Sequence, residues 1–220
     1  MLKNIKAFIF DLNGTMIDDM AYHTEAWLEI INNDLGGSLS RDEVKVQMYG
    51  KNEEVLARIF GEGYFTPEKA AEISVEKERR YQKTFLPHLS LLPGLHAFLD
   101  EAKAAGVLMA IGSAAITFNI DFVLDNLQIR HYFNAIVSAD DVAISKPNPE
   151  TFIKCAQLLG VTPAECIVFE DAPKGVEAAQ NAQMQSVVLT TTHEAAEFNQ
   201  YQYIKRYLQN YEGLRVEDLL

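Results

Sequence analysis

The chain has 220 residues, 48% hydrophobic and 23% charged, which suits one or two domains with a buried core. Asp and Glu number 31 against 19 Lys and Arg, a net charge of −12 that excludes a basic stripe for nucleic acid and disfavours anionic membranes. No run reaches about 18 apolar residues, so no helical membrane span is expected.

Met1–Lys6 leads directly into a strand, without an apolar stretch and a small-residue cleavage site, so secretion is not expected. Ala7–Phe10 is the first predicted strand. From about Asp18 to about His88 there is no strand pattern. Tyr22–Asp34, Glu53–Phe60 and Pro67–Phe85 read as helices instead. This stretch, roughly 70 residues, is too long for a simple crossover and reads as an inserted helical domain, a lid with hinges near Met16–Asp19 and His88–Pro93. Beyond it, strands are predicted at Val107–Ile111, Ala135–Val137, Ile167–Phe169 and Val187–Leu189. Helices over His96–Ala105, Phe118–Leu127, Glu150–Leu159 and Gly175–Ala182 separate them. Short continuous apolar runs suit strands buried on both faces. The expected fold is α/β, a doubly wound, Rossmann-like parallel sheet, with residues 1–17 and 88–220 as core and 18–87 as helical cap. Cys155 and Cys166 have no Cys-x-x-Cys spacing and read as reduced core thiols of a cytoplasmic protein. Thr192–Leu220 carries no functional signal, and its tyrosines, Tyr201, Tyr203, Tyr207 and Tyr211, are expected to pack against the core.

The strand ends carry the chemistry. The first ends in Asp11 and a Gly14-Thr15 turn, the second in Gly112-Ser113. The third is followed by Ser138 and then Ser145-Lys146-Pro147. The fourth ends in Glu170-Asp171 and the fifth in Thr190-Thr191-Thr192. Taken singly, these are ordinary caps, turn serines or surface lysines. Open parallel sheets bind ligands just beyond these strand ends, so together they point to one site. Asp11 can attack an electrophile such as phosphorus. Ser113 and nearby N–H groups can hold phosphate oxygens. Lys146, aimed by a stiff double-proline loop, can neutralise developing charge. The adjacent acids Glu170 and Asp171 suit an oxygen-ligated cation such as Mg²⁺.

Asp11-Leu12-Asn13-Gly14-Thr15, Gly112-Ser113, Ser145-Lys146-Pro147 and Glu170-Asp171, in that order, resemble the motifs of the haloacid dehalogenase-like superfamily over about residues 5–190. Tyr22-His23-Thr24-Glu25-Ala26-Trp27 is similar to a cap segment of its β-phosphoglucomutase-like phosphatases. The resemblance implies Asp11 as nucleophile and Ser113, with the N–H groups of Leu12 and Ala114, as phosphoryl cradle. It implies Lys146 as charge stabiliser and Mg²⁺ on Asp11, Asp171, Glu170 and the backbone carbonyl of Asn13. Three features depart from β-phosphoglucomutases. Asn13 replaces the Asp that serves as general acid/base. Ala115 replaces a serine near the phosphate. The segment Gly50-Lys51-Asn52-Glu53-Glu54 lacks an arginine for the distal phosphate, where Lys51 is a partial substitute. Lys77 matches the cap lysine, and His23 is a further proton source. An amide cannot shuttle a proton, a role worth roughly 10²–10⁴ in rate. The expected protein is therefore a Mg²⁺-dependent phosphatase, or a phosphoglucomutase-like enzyme, weakened by Asn13. It would be a cytoplasmic monomer acting on a small phosphorylated metabolite, with no nucleic-acid or membrane partner. The alternatives are a phosphate-binding protein with little turnover, and a dehalogenase- or phosphonatase-like hydrolase.

Overall fold

The computed structural model describes residues 5–220, so the expected entry of Met1–Asn4 into the first strand lies outside the described residues. Six parallel strands form one sheet: β1 (Ala7–Phe10), β2 (Leu108–Gly112), β3 (Ala135–Val137), β4 (Cys166–Glu170), β5 (Gln185–Leu189) and β6 (Ile204–Leu208). Their order is β3-β2-β1-β4-β5-β6, so the winding direction reverses between β1 and β4. Asp11 and Glu170 stand at the carboxyl ends flanking that reversal, where such sheets open a crevice.

β1 is buried at every position and alternates between two cores. Ala7 and Ile9 face a cluster built on α7 (Glu150–Leu159) and α8 (Pro173–Asn181), with Phe152, Cys155, Val168 and Ala178. Phe8 stacks on Phe98 of α5 (Leu95–Ala104) at 5.6 Å, and Phe10 on Phe169 at 4.6 Å. The remaining helix of this layer is α6 (Thr117–Asn126). Cys155 and Cys166 are free and buried, and burial pushes both thiols up to about 12.

The chain divides into two compact units, one running through Asp18 and resuming over Ser90–Leu220, the other Asp19–Leu89. The second holds α1 (Met20–Leu28), α2 (Arg41–Gln47), α3 (Asn52–Phe60) and α4 (Pro67–Phe85) around its own core of Trp27, Ile31, Val44, Leu56 and Ile73. Among the described residues no helix is long and apolar enough to cross a membrane.

Three features differ from expectation. The helix expected over Tyr22–Asp34 turns π-helical over Glu29–Asp34. α2 is an added helix, short and polar, held by a capping box between Ser40 and Glu43. β6 is an added edge strand, and it places Tyr207 and the adjoining Tyr203 in solvent, while Tyr211 alone of the four tyrosines is fully buried.

Candidate active site

Asp11 follows β1, and its N–H donates to the Phe169 carbonyl at 3.0 Å, which ties this position to β4. The chain then turns: the Leu12 carbonyl accepts from the N–H groups of Thr15 (3.3 Å) and Met16 (2.8 Å). Gly14 sits at φ +72°, and a Cβ there would lie 2.2 Å from Asp171 Oδ2, so only glycine lets Asp171 approach this turn. Asn13 is half-buried in it.

Lys146 Nζ donates to Asp11 Oδ1 at 2.6 Å and to Glu170 Oε1 at 2.8 Å, above the Phe152 ring. Burial pulls this ammonium's pKa down, but the Asp11 and Glu170 carboxylates outweigh it, and the net shift is upward. Glu170 Oε2 accepts the N–H groups of Asp171 and Ala172, each at 2.8 Å. Both oxygens of Glu170 are thus engaged by protein, which makes it an anchor for Lys146 and the following loop. Gly175 leaves it room, since a Cβ there would fall 1.7 Å from Oε1. Asp171 accepts from Thr15 Oγ1 at 3.0 Å and, on its other oxygen, from Thr192 Oγ1. Burial, then the charges of Glu170 and Asp11, push its pKa well above the carboxylate range. Ser113 ends β2; its N–H donates to the Val137 carbonyl at 3.0 Å and its Oγ accepts the Ala115 N–H at 3.1 Å.

Asp11 and Glu170 share the Lys146 ammonium with buried Asp171 beside them, so ionising all three leaves a surplus of two negative charges, which is what holds the Asp171 pKa up together with burial. A divalent cation on oxygen ligands fits that surplus. Among the described residues no three His, Cys, Asp or Glu side chains form a cage. Mg²⁺ does not need one, because it keeps several waters and takes one or two carboxylates.

The helical unit carries a second polar cluster. Lys77, buried on α4, donates to His23 Nδ1 at 2.6 Å and to Glu78 Oε1 at 2.9 Å. The other ring nitrogen of His23, Nε2, faces Asp19 Oδ2 at 3.2 Å. Tyr81 donates to the same oxygen at 2.6 Å and stacks on the His23 ring at 3.7 Å. Asn52 donates to Glu78 at 2.9 Å. Burial raises the Glu78 carboxyl, but Lys77 and His23 bring it net below the usual range. Lys51 precedes α3, one residue before Asn52, and its N–H donates to Glu54 at 3.0 Å. The structure therefore joins His23 to Lys77, and Asp11 to Lys146, Glu170 and Asp171. Asp19, Glu78 and Tyr81 complete the helical unit's cluster with no site signal of their own in the sequence, whereas Thr15 and Thr192 complete the other and lie in the strand-end turns that the sequence pointed to.

A family model for haloacid dehalogenase-like hydrolases matches residues 5–183. The chain belongs to this family. Among its relatives, fructose-1-phosphate phosphatase YqaB of Escherichia coli is 32% identical over 190 residues, covering 85% of this chain and 97% of that one. β-Phosphoglucomutase of Bacillus subtilis is 34% identical over 189 residues, covering 83% and 82%. The β-phosphoglucomutase structure from Clostridium difficile superposes with a TM-score of 0.83 at 27% identity, over 97% of this chain and 94% of that one. This haloacid dehalogenase-like chain is thus a hydrolase of phosphatase and phosphomutase type. The family match ends before Thr191, Thr192 and Tyr211.

Proposed function

We propose that the chain hydrolyses a small sugar phosphate through a phosphorylated Asp11. The observation that carries this reading is the 2.6 Å contact of Lys146 with Asp11 at the sheet's reversal point, amid a surplus of two negative charges. Two relatives named for sugar phosphates support the substrate class. Asp11, Asp171 and the carbonyl of Asn13 would hold Mg²⁺, with Glu170 anchoring Lys146. When bound, Mg²⁺ supplies charge that screens the phosphoryl oxygens from the carboxylates.

Asp11 attacks phosphorus, its new P–O bond forming as the bond to the sugar oxygen breaks. Ser113 and the N–H groups of Leu12 and Ala114 orient the phosphoryl oxygens, and Lys146 offsets their charge. Water then displaces phosphate and restores the carboxylate. Asn13 donates a hydrogen bond to the departing sugar oxygen but cannot give it a proton. That proton comes from water. Hydrolysis is favoured over mutase action because the segment Gly50-Lys51-Asn52-Glu53-Glu54 carries no arginine to grip a second phosphate.

A panel of small sugar phosphates, with and without Mg²⁺, tests this. Release of phosphate should require Mg²⁺ and vanish in Asp11→Ala, while Asn13→Asp should raise the rate by about 10²-fold. Turnover by Asp11→Ala equal to that of the unaltered chain would falsify the covalent route. No release by the unaltered chain, with strong release by Asn13→Asp, would identify a phosphate-binding protein.

A further inference from the structure

Two residues far along the chain grip the turn that follows Asp11. Thr191 Oγ1, just past β5, donates to the Gly14 carbonyl at 2.5 Å. The Tyr211 hydroxyl, past β6, donates to the Thr15 carbonyl at 3.1 Å. Tyr211 is itself held firmly. It is 1% exposed, its ring lies 5.8 Å from both Phe98 and Phe169, and its N–H donates to the Pro93 carbonyl at 2.9 Å. Gly94 makes this seat possible, since a Cβ there would lie 2.5 Å from the Tyr211 carbonyl carbon. The turn is also tied to the returning chain, for the Leu92 N–H donates to the Met16 carbonyl at 2.8 Å.

We propose that Thr191 and Tyr211 are positioning residues that fix the Asp11–Thr15 turn by holding two successive carbonyls, those of Gly14 and Thr15, and so set the direction of the preceding carbonyl, that of Asn13. The consequence for metal affinity rests on the reading of Asn13 as a Mg²⁺ ligand; the bracing itself does not. A carbonyl is a fixed dipole, and turning one peptide plane redirects its neighbours. Tyr211 and Thr191 need touch neither substrate nor metal to act this way.

Tyr211→Phe and Thr191→Val remove the two hydroxyls and keep the bulk. In the metal-free protein, exchange of the Thr15 and Met16 amides should speed up about tenfold in each variant. The Mg²⁺ dissociation constant, measured by calorimetry, should rise about threefold to tenfold, the range of one lost hydrogen bond. Phe198→Leu, in the separate cluster of Val176 and Val188, is the reference: it should lower the melting temperature and leave both quantities unchanged. If the hydroxyl variants match this reference in amide exchange and Mg²⁺ affinity, Thr191 and Tyr211 are merely structural and the proposal is overturned. If the unaltered protein binds no Mg²⁺, the metal assignment fails, and the amide exchange rates alone decide the bracing.

Discussion

Two buried lysines serve two differently balanced clusters. At the strand ends, Lys146 faces Asp11 and Glu170 with Asp171 beside them, which leaves two negative charges in excess. In the helical unit, Lys77 faces Glu78 and His23, and His23 leans on Asp19, so the ammonium is matched more closely by its surroundings. The second cluster is cross-linked through Tyr81, Asn52 and the stacked imidazole, with Glu78 Oε2 left as a buried oxygen without a hydrogen bond. The first satisfies its hydrogen bonds but not its charge. Hydrogen bonding and charge balance are separate requirements, and a site that meets only one of them is ready for an ion.

Exchanging the lysines should separate the clusters most sharply. Lys146→Ala should cut phosphate release about 10³-fold, and added Mg²⁺ should recover much of the lost stability. Lys77→Ala should lose about 3 kcal/mol in denaturant unfolding, with no recovery by Mg²⁺, because Glu78 is left buried and unmatched. A Mg²⁺ rescue of Lys77→Ala would erase the distinction. Asp171→Asn should be next in size. The unaltered protein should gain about 2.7 kcal/mol at Mg²⁺ a hundredfold above its dissociation constant. The Asn variant should lose that gain while its metal-free form stays at least as stable. The smallest effect concerns pH. The Glu78 carboxyl is depressed in the folded protein, so its contribution is complete above the ordinary range near about 4.3 and is lost as pH falls below it. Glu78→Gln should therefore flatten the acid side of a stability profile while leaving a lower plateau at neutral pH.

What the sequence disclosed follows from which signals are local. β1 and α4 are legible because an apolar run and a Thr66-Pro67 start are written in consecutive residues. α2 escaped because only Val44 of its residues is buried, though the Ser40 and Glu43 box was there to read. β6 escaped because an edge strand reading Ile-Lys-Arg-Tyr-Leu carries charge where a central strand carries valine. The charged ends of β1 and β4 stand out in sequence since a carboxylate after a buried strand is conspicuous. The roles of Thr192 and Tyr211 do not, because a threonine at a strand end or a tyrosine packed on the core gains its role only through a partner far away in the chain.

That distance gives the protein a built-in order of assembly. Tyr211 lies 196 positions beyond Thr15, and Thr191 lies 177 beyond Gly14. Synthesis runs from the amino to the carboxyl end, so Asp11 emerges well before either brace. The turn that follows it finds its last brace only when the chain has been made through Tyr211 and the sheet has gained its sixth strand. A nascent chain thus holds that carboxylate beside an unbraced turn until Thr191 and Tyr211 have emerged and folded back onto it.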